Sequence, residues 1–146
     1  MHPSMDFARK LMLAYSSVCK PLCQTLGIPQ TSFDILMFLS NNPSCRTARD
    51  IVEVRRIKAN LVSVHVDRLV REGYLTRQTV QGDRRKTELF CTEKAWPVVE
   101  RGRQLQKDFF EGLFRDTDEA MRKAYFETLH VMEDHLDQIL GKGNGK

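Results

Sequence analysis

The chain has 146 residues, of which 41% are hydrophobic and 29% charged, the composition of a soluble globular domain with a buried core. No apolar run approaches the ~20 residues of a membrane-spanning helix, and the first ten residues lack the apolar core of a signal peptide. The four cysteines show none of the spacing typical of a small secreted, disulfide-bonded fold. We therefore expect a cytoplasmic protein with reduced thiols and no membrane partner.

The net charge of +4 is unevenly distributed along the chain. Residues 55–86 contain nine lysines and arginines against three acidic residues, a formal charge of +6, whereas the rest of the chain sums to −2. A basic patch on a slightly acidic body predicts a surface that binds a polyanion. The alternative is a solvated surface without a partner.

Apolar residues at steps of three and four predict three helices in the first part of the chain. The first covers residues 6–26, with a kink or break near Lys20 because Pro21 cannot donate a helical hydrogen bond. The second lies between residues 31 and 42, and the third covers residues 47–54.

A turn at residues 55–57 leads to a fourth helix that ends near Glu72. Compact helices with short joints predict a helix-turn-helix, whose last helix enters the major groove of DNA. On its outward face, Asn60, Ser63 and Val64 lie close enough to the helix N-terminus to reach base edges. Asn60 either contacts a base or caps the helix. The opposite, core-facing side is formed by Val62, Val66, Leu69 and Val70.

Five further cations lie on or next to this helix, and they are predicted to be phosphate contacts or solvated charges. They are Arg55, Arg56, Lys58, Arg68 and Arg71.

Residues that favour β structure predict two short strands at 75–80 and 86–91, joined by a turn at 82–83. Asp83 alone cannot pair all the cations at the tip of this hairpin, and we expect it to orient a neighbouring arginine. Arginine at the end of a slender ribbon suits insertion into a narrow minor groove, where the negative potential is strongest. The cations at the tip are Arg84, Arg85 and Lys86.

Two long helices are predicted after the hairpin. The first begins at the capping residue Thr92 and ends near Phe114, with Gly102 as its weak point. Asp116 and Glu119 resemble a capping box that opens the second. Together with the first helix of the chain, they carry more apolar surface than a small DNA-binding unit can cover. We therefore expect an obligate homodimer that presents two winged helices to half-sites about one helical turn apart.

The predicted fold class is mainly α with a small two-stranded β wing, namely a winged helix-turn-helix with long N- and C-terminal dimerisation helices. We expect an N-terminal dimerisation helix at residues 1–30 and a DNA-binding domain at 31–92. Residues 93–146 are expected to form the C-terminal dimerisation helices.

The run VSVHVDRLVREGYLTR, continued by GDRRKTELFCTEKA, resembles the MarR family of bacterial winged helix-turn-helix regulators. The matching pieces are residues 66–69, 73–75 and 83–85, followed by Thr92. The order of helices before and after also agrees, so the resemblance covers nearly the whole chain. The hairpin signature is more specific than the similarity of the fourth helix.

The resemblance implies a homodimer, joined through the first and the last two helices, that binds a palindromic operator in double-stranded DNA and represses transcription. In the family pattern Asp83 orients the wing and Arg85 reaches the minor groove. Val64 departs from the pattern, because family members often carry a polar or basic residue there. The operator sequence of other members therefore does not transfer to this chain.

The resemblance also implies release of the operator by a small aromatic or lipophilic effector, bound between the dimerisation helices and the DNA-binding lobe. Candidate pocket residues are Tyr15, Cys19, Phe38 and His65. For His65, at the border of the core face, a structural histidine with a satisfied hydrogen bond is the preferred interpretation.

Other functions are less well supported by the sequence. Cys19 and Cys23 are four residues apart on one helix, which is the basis for an alternative thiol-based, redox-responsive regulator. The family's peroxide-sensing cysteine corresponds to a place near Met5, however, so buried unreactive thiols are preferred. A second alternative is a winged-helix protein-interaction module without specific DNA binding. No phosphate-binding loop, nucleophile elbow or paired carboxylates are visible, so we expect no enzyme, cofactor or metal site.

Overall fold

Six α-helices and one β-hairpin make up residues 1–142, the part of the chain that the computed structural model describes. The predicted glycine- and lysine-rich tail after residue 142 lies outside this part. The mainly helical fold with a two-stranded wing is confirmed. In chain order the elements are α1 (Pro3–Leu26), α2 (Gln30–Asn41), α3 (Ala48–Arg55), α4 (Ala59–Arg71), β1 (Leu75–Val80), β2 (Asp83–Cys91), α5 (Trp96–Leu113) and α6 (Glu119–Ile139).

The described chain forms two compact units, Met1–Phe109 and a second that begins at Phe110. The hydrophobic core of the first unit is centred on α2, in which every residue from 35 to 39 is buried. The predicted core face of α4 packs here through Val62, Val66 and Leu69. Within residues 1–142, no helix is both long enough and apolar enough to cross a bilayer.

Helix α1 does not break at Pro21, so of the two predicted alternatives, a kink or a break near Lys20, the break is wrong. It runs as one helix of 24 residues from Pro3 to Leu26. Cys19 and Cys23, on either side of the proline, are both buried in the core, and this packing offsets the loss of one backbone hydrogen bond. Gly27 ends the helix in a left-handed conformation, with φ of 70°.

Two capping predictions are wrong. Thr92 does not cap α5, because its hydroxyl donates to the carbonyl of Gly73 over 2.6 Å and a short 3-10 turn separates it from the helix. Asp116 has a left-handed backbone with φ of 62°, and Asp118 caps α6 instead by accepting from the amide of Met121 at 2.8 Å. In both cases the backbone path of the preceding turn determines which side chain lies close enough to cap the helix.

Gly102 allows α5 to pack tightly against α2. A β-carbon placed on it would lie 2.9 Å from Cζ of Phe33 and closer still to Sδ of Met37. Both of these side chains are buried. The residue that the sequence marks as a weak point in the helix therefore lies at a close contact with α2.

We expect Gly102→Ala to lower the free energy of unfolding by about 1–2 kcal/mol. Overpacking a buried contact costs ~1–3 kcal/mol, and the better helix propensity of alanine offsets part of that cost. The matched control is Gly112→Ala in the same helix, where no atom lies within 4 Å of the added carbon. That variant should be stabilised by ~0.4–1 kcal/mol. Urea unfolding at one fixed protein concentration measures both, and equal effects of the two substitutions would contradict this packing role.

Candidate nucleic-acid interface

Hydrogen bonds and backbone conformation define both ends of α3 and the turn that leads to α4. Thr47 and Asp50 form a capping box at the start of α3, with both hydrogen bonds at 3.1 Å. Arg56 ends α3 in a left-handed conformation, with φ of 56°, and α4 begins three residues later. This short, sharply turning joint gives the two helices the helix-turn-helix connection that the sequence predicts.

Helix α4 presents the predicted reading residues to solvent. Asn60, Ser63 and Val64 are all exposed, and Val64 has a relative accessibility of 62%. Lys58 occupies the position of the N-cap and no side chain caps the helix, so the capping alternative for Asn60 is wrong. Asn60 lies within the first turn of α4, where its amide is free to bond to a base or a phosphate.

The tip of the hairpin is more irregular than the sequence predicts. The tight turn is formed by residues 81–82, with Gly82 at φ of 88°, and β2 begins at Asp83 instead of Lys86. The register pairs Thr79 with Thr87 and Val80 with Asp83, so residues 84–86 have no partner opposite them on β1. The predicted basic tip therefore bulges from the ribbon, and all three of its side chains are exposed.

Asp83 organises the backbone of this bulge. Its Oδ1 accepts a hydrogen bond from the amide of Arg85 at 3.0 Å. Within residues 1–142, none of the three tip cations, Arg84, Arg85 and Lys86, has an acidic partner within ion-pair distance. The tip is thus a concentrated positive charge on a fixed backbone.

The structure divides the other predicted DNA-binding cations into paired and unpaired groups. Arg55 lies 3.8 Å from Asp34, and Arg68 donates to Glu72 at 2.9 Å. Over the described residues, no acidic partner is found for the three remaining cations of the set, which are Arg56, Lys58 and Arg71. The unpaired cations lie in the joint between α3 and α4, on α4 and at the hairpin tip.

The four predicted pocket residues occupy different environments. The hydroxyl of Tyr15 accepts from Nε2 of Gln106 at 2.8 Å, and burial raises the pKa of Tyr15 to about 12. Cys19 and Phe38 are buried in the core. His65 shares a hydrogen bond of 2.9 Å between its Nδ1 and Oγ of the buried Ser32, as the structural interpretation expects.

Among the concave regions of the first unit are a groove and a cavity that are not lined by these four residues. A groove of about 510 Å³ lies between α1 and α5. A cavity of about 380 Å³ lies between α3, α4 and the hairpin. The groove is lined by Val18, Leu22, Arg101, Gln104, Leu105, Asp108 and Phe109. The cavity is lined by Ala48, Arg49, Val52, Ala59, Val62, Ser63, Val66, Arg77, Thr87 and Leu89.

The thiols of α1 are poorly suited to redox chemistry. Burial raises the pKa of Cys23 to about 11 and also raises that of Cys19. Since only the thiolate reacts, and it forms as the pH rises toward the pKa, both side chains are protonated at neutral pH. No cluster of three metal-binding side chains is found in residues 1–142.

We expect Cys19 and Cys23 to resist alkylation in the native protein at pH 7.5 and to react quickly in urea. The pKa of Cys23 alone reduces its thiolate fraction by about a hundredfold relative to its ordinary value of 9.0. Site-resolved mass spectrometry after iodoacetamide treatment measures this, with the half-buried Cys45 as the internal reference. Rapid native modification of either α1 thiol, or loss of DNA binding in peroxide, would favour the redox alternative.

Comparisons with known proteins agree with this geometry. The model of the MarR family matches residues 26–86, from the end of α1 to the hairpin tip. A search of curated protein sequences found no match.

Solved structures of similar fold cover almost the entire chain. A MarR transcriptional regulator from Methanosarcina mazei Go1 aligns with a TM-score of 0.81 at 22% identity, over 95% of this chain and 99% of that chain. A transcriptional regulator from Thermotoga maritima aligns with a TM-score of 0.67 at 21% identity, over 97% and 99%. Bordetella bronchiseptica BpsR, in a structure concerned with regulation of its DNA binding by 6-hydroxynicotinic acid, aligns with a TM-score of 0.66 at 20% identity, over 91% and 94%.

These structural likenesses support the fold, and the family model adds a sequence match from the end of α1 to the hairpin tip. The chain has a winged helix-turn-helix fold, and its residues 26–86 match the model of the MarR family.

Proposed function

We propose that this protein is a transcriptional repressor that binds a palindromic operator in double-stranded DNA as a homodimer. The observation that carries the proposal is the distribution of unpaired cations around the exposed face of α4. Three of these cations lie at or near α4 and three at the hairpin tip. Such a distribution suits contact with phosphates on both sides of a groove that a helix enters.

In this proposal α4 enters the major groove and the hairpin reaches the adjacent minor groove. Asn60 and Ser63 are the residues with hydrogen-bonding groups for base edges, and Val64 contacts a thymine methyl group or a sugar. Arg85 is the residue proposed to enter the minor groove, with Asp83 holding its backbone. The remaining predicted cations contact phosphates, and those with acidic partners, Arg55 and Arg68, contribute less.

The homodimer is proposed from exposed apolar side chains on α1 and α6. None of the 21 residues of α6 is buried, although most helical stability in proteins comes from the packing of an apolar face. A second copy that covers these faces provides the missing burial, and the proposed dimerisation segments remain residues 1–30 and 93–146. The exposed large apolar residues on these helices are Met5, Phe7, Met12, Leu13 and Val18 of α1 and Met121, Tyr125, Phe126, Val131, Met132, Leu136 and Ile139 of α6.

A small aromatic or lipophilic effector is proposed to release the operator. DNA binding by the Bordetella protein is regulated by 6-hydroxynicotinic acid, an aromatic acid, which supports this class of ligand for a protein of the same fold. Tyr15 is the candidate polar contact for the effector. Its hydroxyl has a pKa of about 12 and is therefore a neutral phenol at physiological pH. Titration of the protein–operator complex with aromatic acids and phenols tests this part of the proposal, and an operator that no compound releases would contradict it.

Selection of bound duplexes from fragmented genomic DNA tests the proposed function as a whole. We expect enrichment of a palindromic sequence whose half-sites lie about one helical turn apart. A pool that shows no enriched sequence after repeated rounds would favour the alternative of a winged-helix protein-interaction module. An enriched sequence without dyad symmetry would contradict the homodimer.

A further inference from the structure

One ion pair connects α4 to the middle of the wing, where Arg77 lies opposite Leu89. The guanidinium of Arg77, on β1, donates to the carboxylate of Asp67, on the outward face of α4. Both side chains are about half exposed. In residues 1–142 no other side-chain hydrogen bond or ion pair joins α4 to the hairpin.

Packing fixes the hairpin from its base to the level of the Arg77–Leu89 pair better than beyond it. Leu75 and Leu89 are buried at 1% and 2% relative accessibility, whereas residues 78–79 and 81–86 are exposed. Between the hairpin and α3 and α4 lies the cavity of about 380 Å³, with Arg77 and Thr87 in its lining. Because this space is not filled by side chains, hydrophobic packing does not set the angle of the outer wing against α4.

We propose that Asp67 is a positioning residue for DNA binding, which acts through Arg77 to hold the wing tip at a fixed distance from the exposed face of α4. This inference rests on the proposed function. Simultaneous contact of α4 with the major groove and of Arg85 with the minor groove requires that separation to match the DNA. The ion pair between Asp67 and Arg77 sets this separation across the cavity, which side-chain packing does not fill.

Because Asp67 is negatively charged, its positioning role can be distinguished from its direct electrostatic effect on DNA binding. A carboxylate on the face of α4 that meets DNA repels phosphates, so its removal alone should tighten binding. If Asp67 instead positions the wing, its removal should weaken binding to a specific site. The two explanations therefore predict effects of opposite sign for the same substitution.

The experiment compares Asp67→Asn and Arg77→Gln with the charge-reversed pair Asp67→Arg with Arg77→Asp. Glu72→Gln is the matched control, because it also removes one acidic charge from the end of α4 but breaks only the ion pair with Arg68 on the same helix. The probes are a duplex that the wild-type protein selects from a random-sequence pool and a scrambled duplex of equal length. Thermal unfolding verifies that each variant is folded, since half-exposed ion pairs contribute little to stability.

We expect Asp67→Asn and Arg77→Gln each to weaken binding to the selected duplex by about tenfold, and the reversed pair to recover most of the loss. Asp67→Asn should also reduce the slope of log affinity against log salt by about 1 for each phosphate that the wing no longer reaches, although the group removed is an acid. Glu72→Gln should bind at least as tightly as wild type. Binding of Asp67→Asn as tight as that of Glu72→Gln, or failure of the reversed pair to recover affinity, would overturn the proposal.

Hydrogen exchange separates this inference from the proposed function. Amides of residues 77–87 should exchange faster in Asp67→Asn than in wild type without DNA, while those of Glu72→Gln should not change. A wild-type protein that selects no duplex but shows this difference would contradict the operator-binding function and leave the wing contact supported. Unchanged exchange in Asp67→Asn would overturn the positioning role whatever the DNA result.

Discussion

Replacement of Arg85 by alanine is expected to weaken operator binding by about 100-fold and to reduce the magnitude of the salt slope by about 2. In each of the two wings of the proposed dimer, one cation no longer meets the DNA, which costs ~1–3 kcal/mol and about one released counterion. Arg85 is exposed, and its amide is held by Asp83 at 3.0 Å, so the side chain has little to do with the stability of the fold. Fluorescence anisotropy with an operator duplex at several salt concentrations measures both quantities.

Two further variants separate the shape of the Arg85 side chain from its charge. Arg85→Lys keeps the charge but loses the planar fork, so it should retain the salt slope and recover only part of the affinity. Lys10→Ala removes an exposed cation from α1, far along the chain from the wing, and should leave both quantities unchanged. An Arg85→Ala protein with an unchanged salt slope would contradict contact between the wing and DNA.

Leu136→Asp on α6 is expected to convert the protein from dimer to monomer and to lower operator affinity by 100-fold or more. Leu136 has a relative accessibility of 53% in the single chain, on a helix that buries none of its residues. A carboxylate there would have to be desolvated in the proposed dimer interface, which costs several kcal/mol. Loss of bivalent attachment to two half-sites accounts for the fall in affinity, since avidity commonly contributes ~10²–10⁴.

Sedimentation velocity and a half-site duplex make this second prediction specific. Leu136→Met, which keeps an apolar side chain of similar volume, should remain a dimer and bind like wild type. Leu136→Asp should bind a duplex with one half-site about as well as wild type does, because its α4 and wing are intact. A variant that stays dimeric would show that α6 is not the dimer interface. A variant that loses half-site binding as well would point to misfolding, which circular dichroism detects.

Periodicity was sufficient to predict the core side of the winged helix. Val62, Val66 and Leu69 repeat at helical spacing and are all buried, and β1 lies at the predicted residues. Such patterns are reliable because the burial of one face is a property of the helix itself. The break, one of the two alternatives predicted at Pro21, does not occur because residues distant in the sequence bury the thiols on either side of the proline.

Ion pairing could not be read from the sequence. Arg77 belongs to the same basic window as Arg85, yet Arg77 is bound to Asp67 and Arg85 has no acidic partner in the described residues. Asp67 and Arg77 are ten residues apart and on different elements, so no helical spacing indicates their contact. The three-residue bulge at the tip was also missed, because the register of a hairpin depends on how its strands pair.

The sequence by itself determined the order of the elements, the core face of α4 and the concentration of positive charge between residues 55 and 86, since these depend on local composition and spacing. Only the tertiary structure decided which cations are unpaired, that His65 is bound to Ser32, and that Gly102 is a packing contact. These features depend on distances between elements that chain folding brings together. The ion pair between Asp67 and Arg77 belongs to the second group, because its partners lie on different elements.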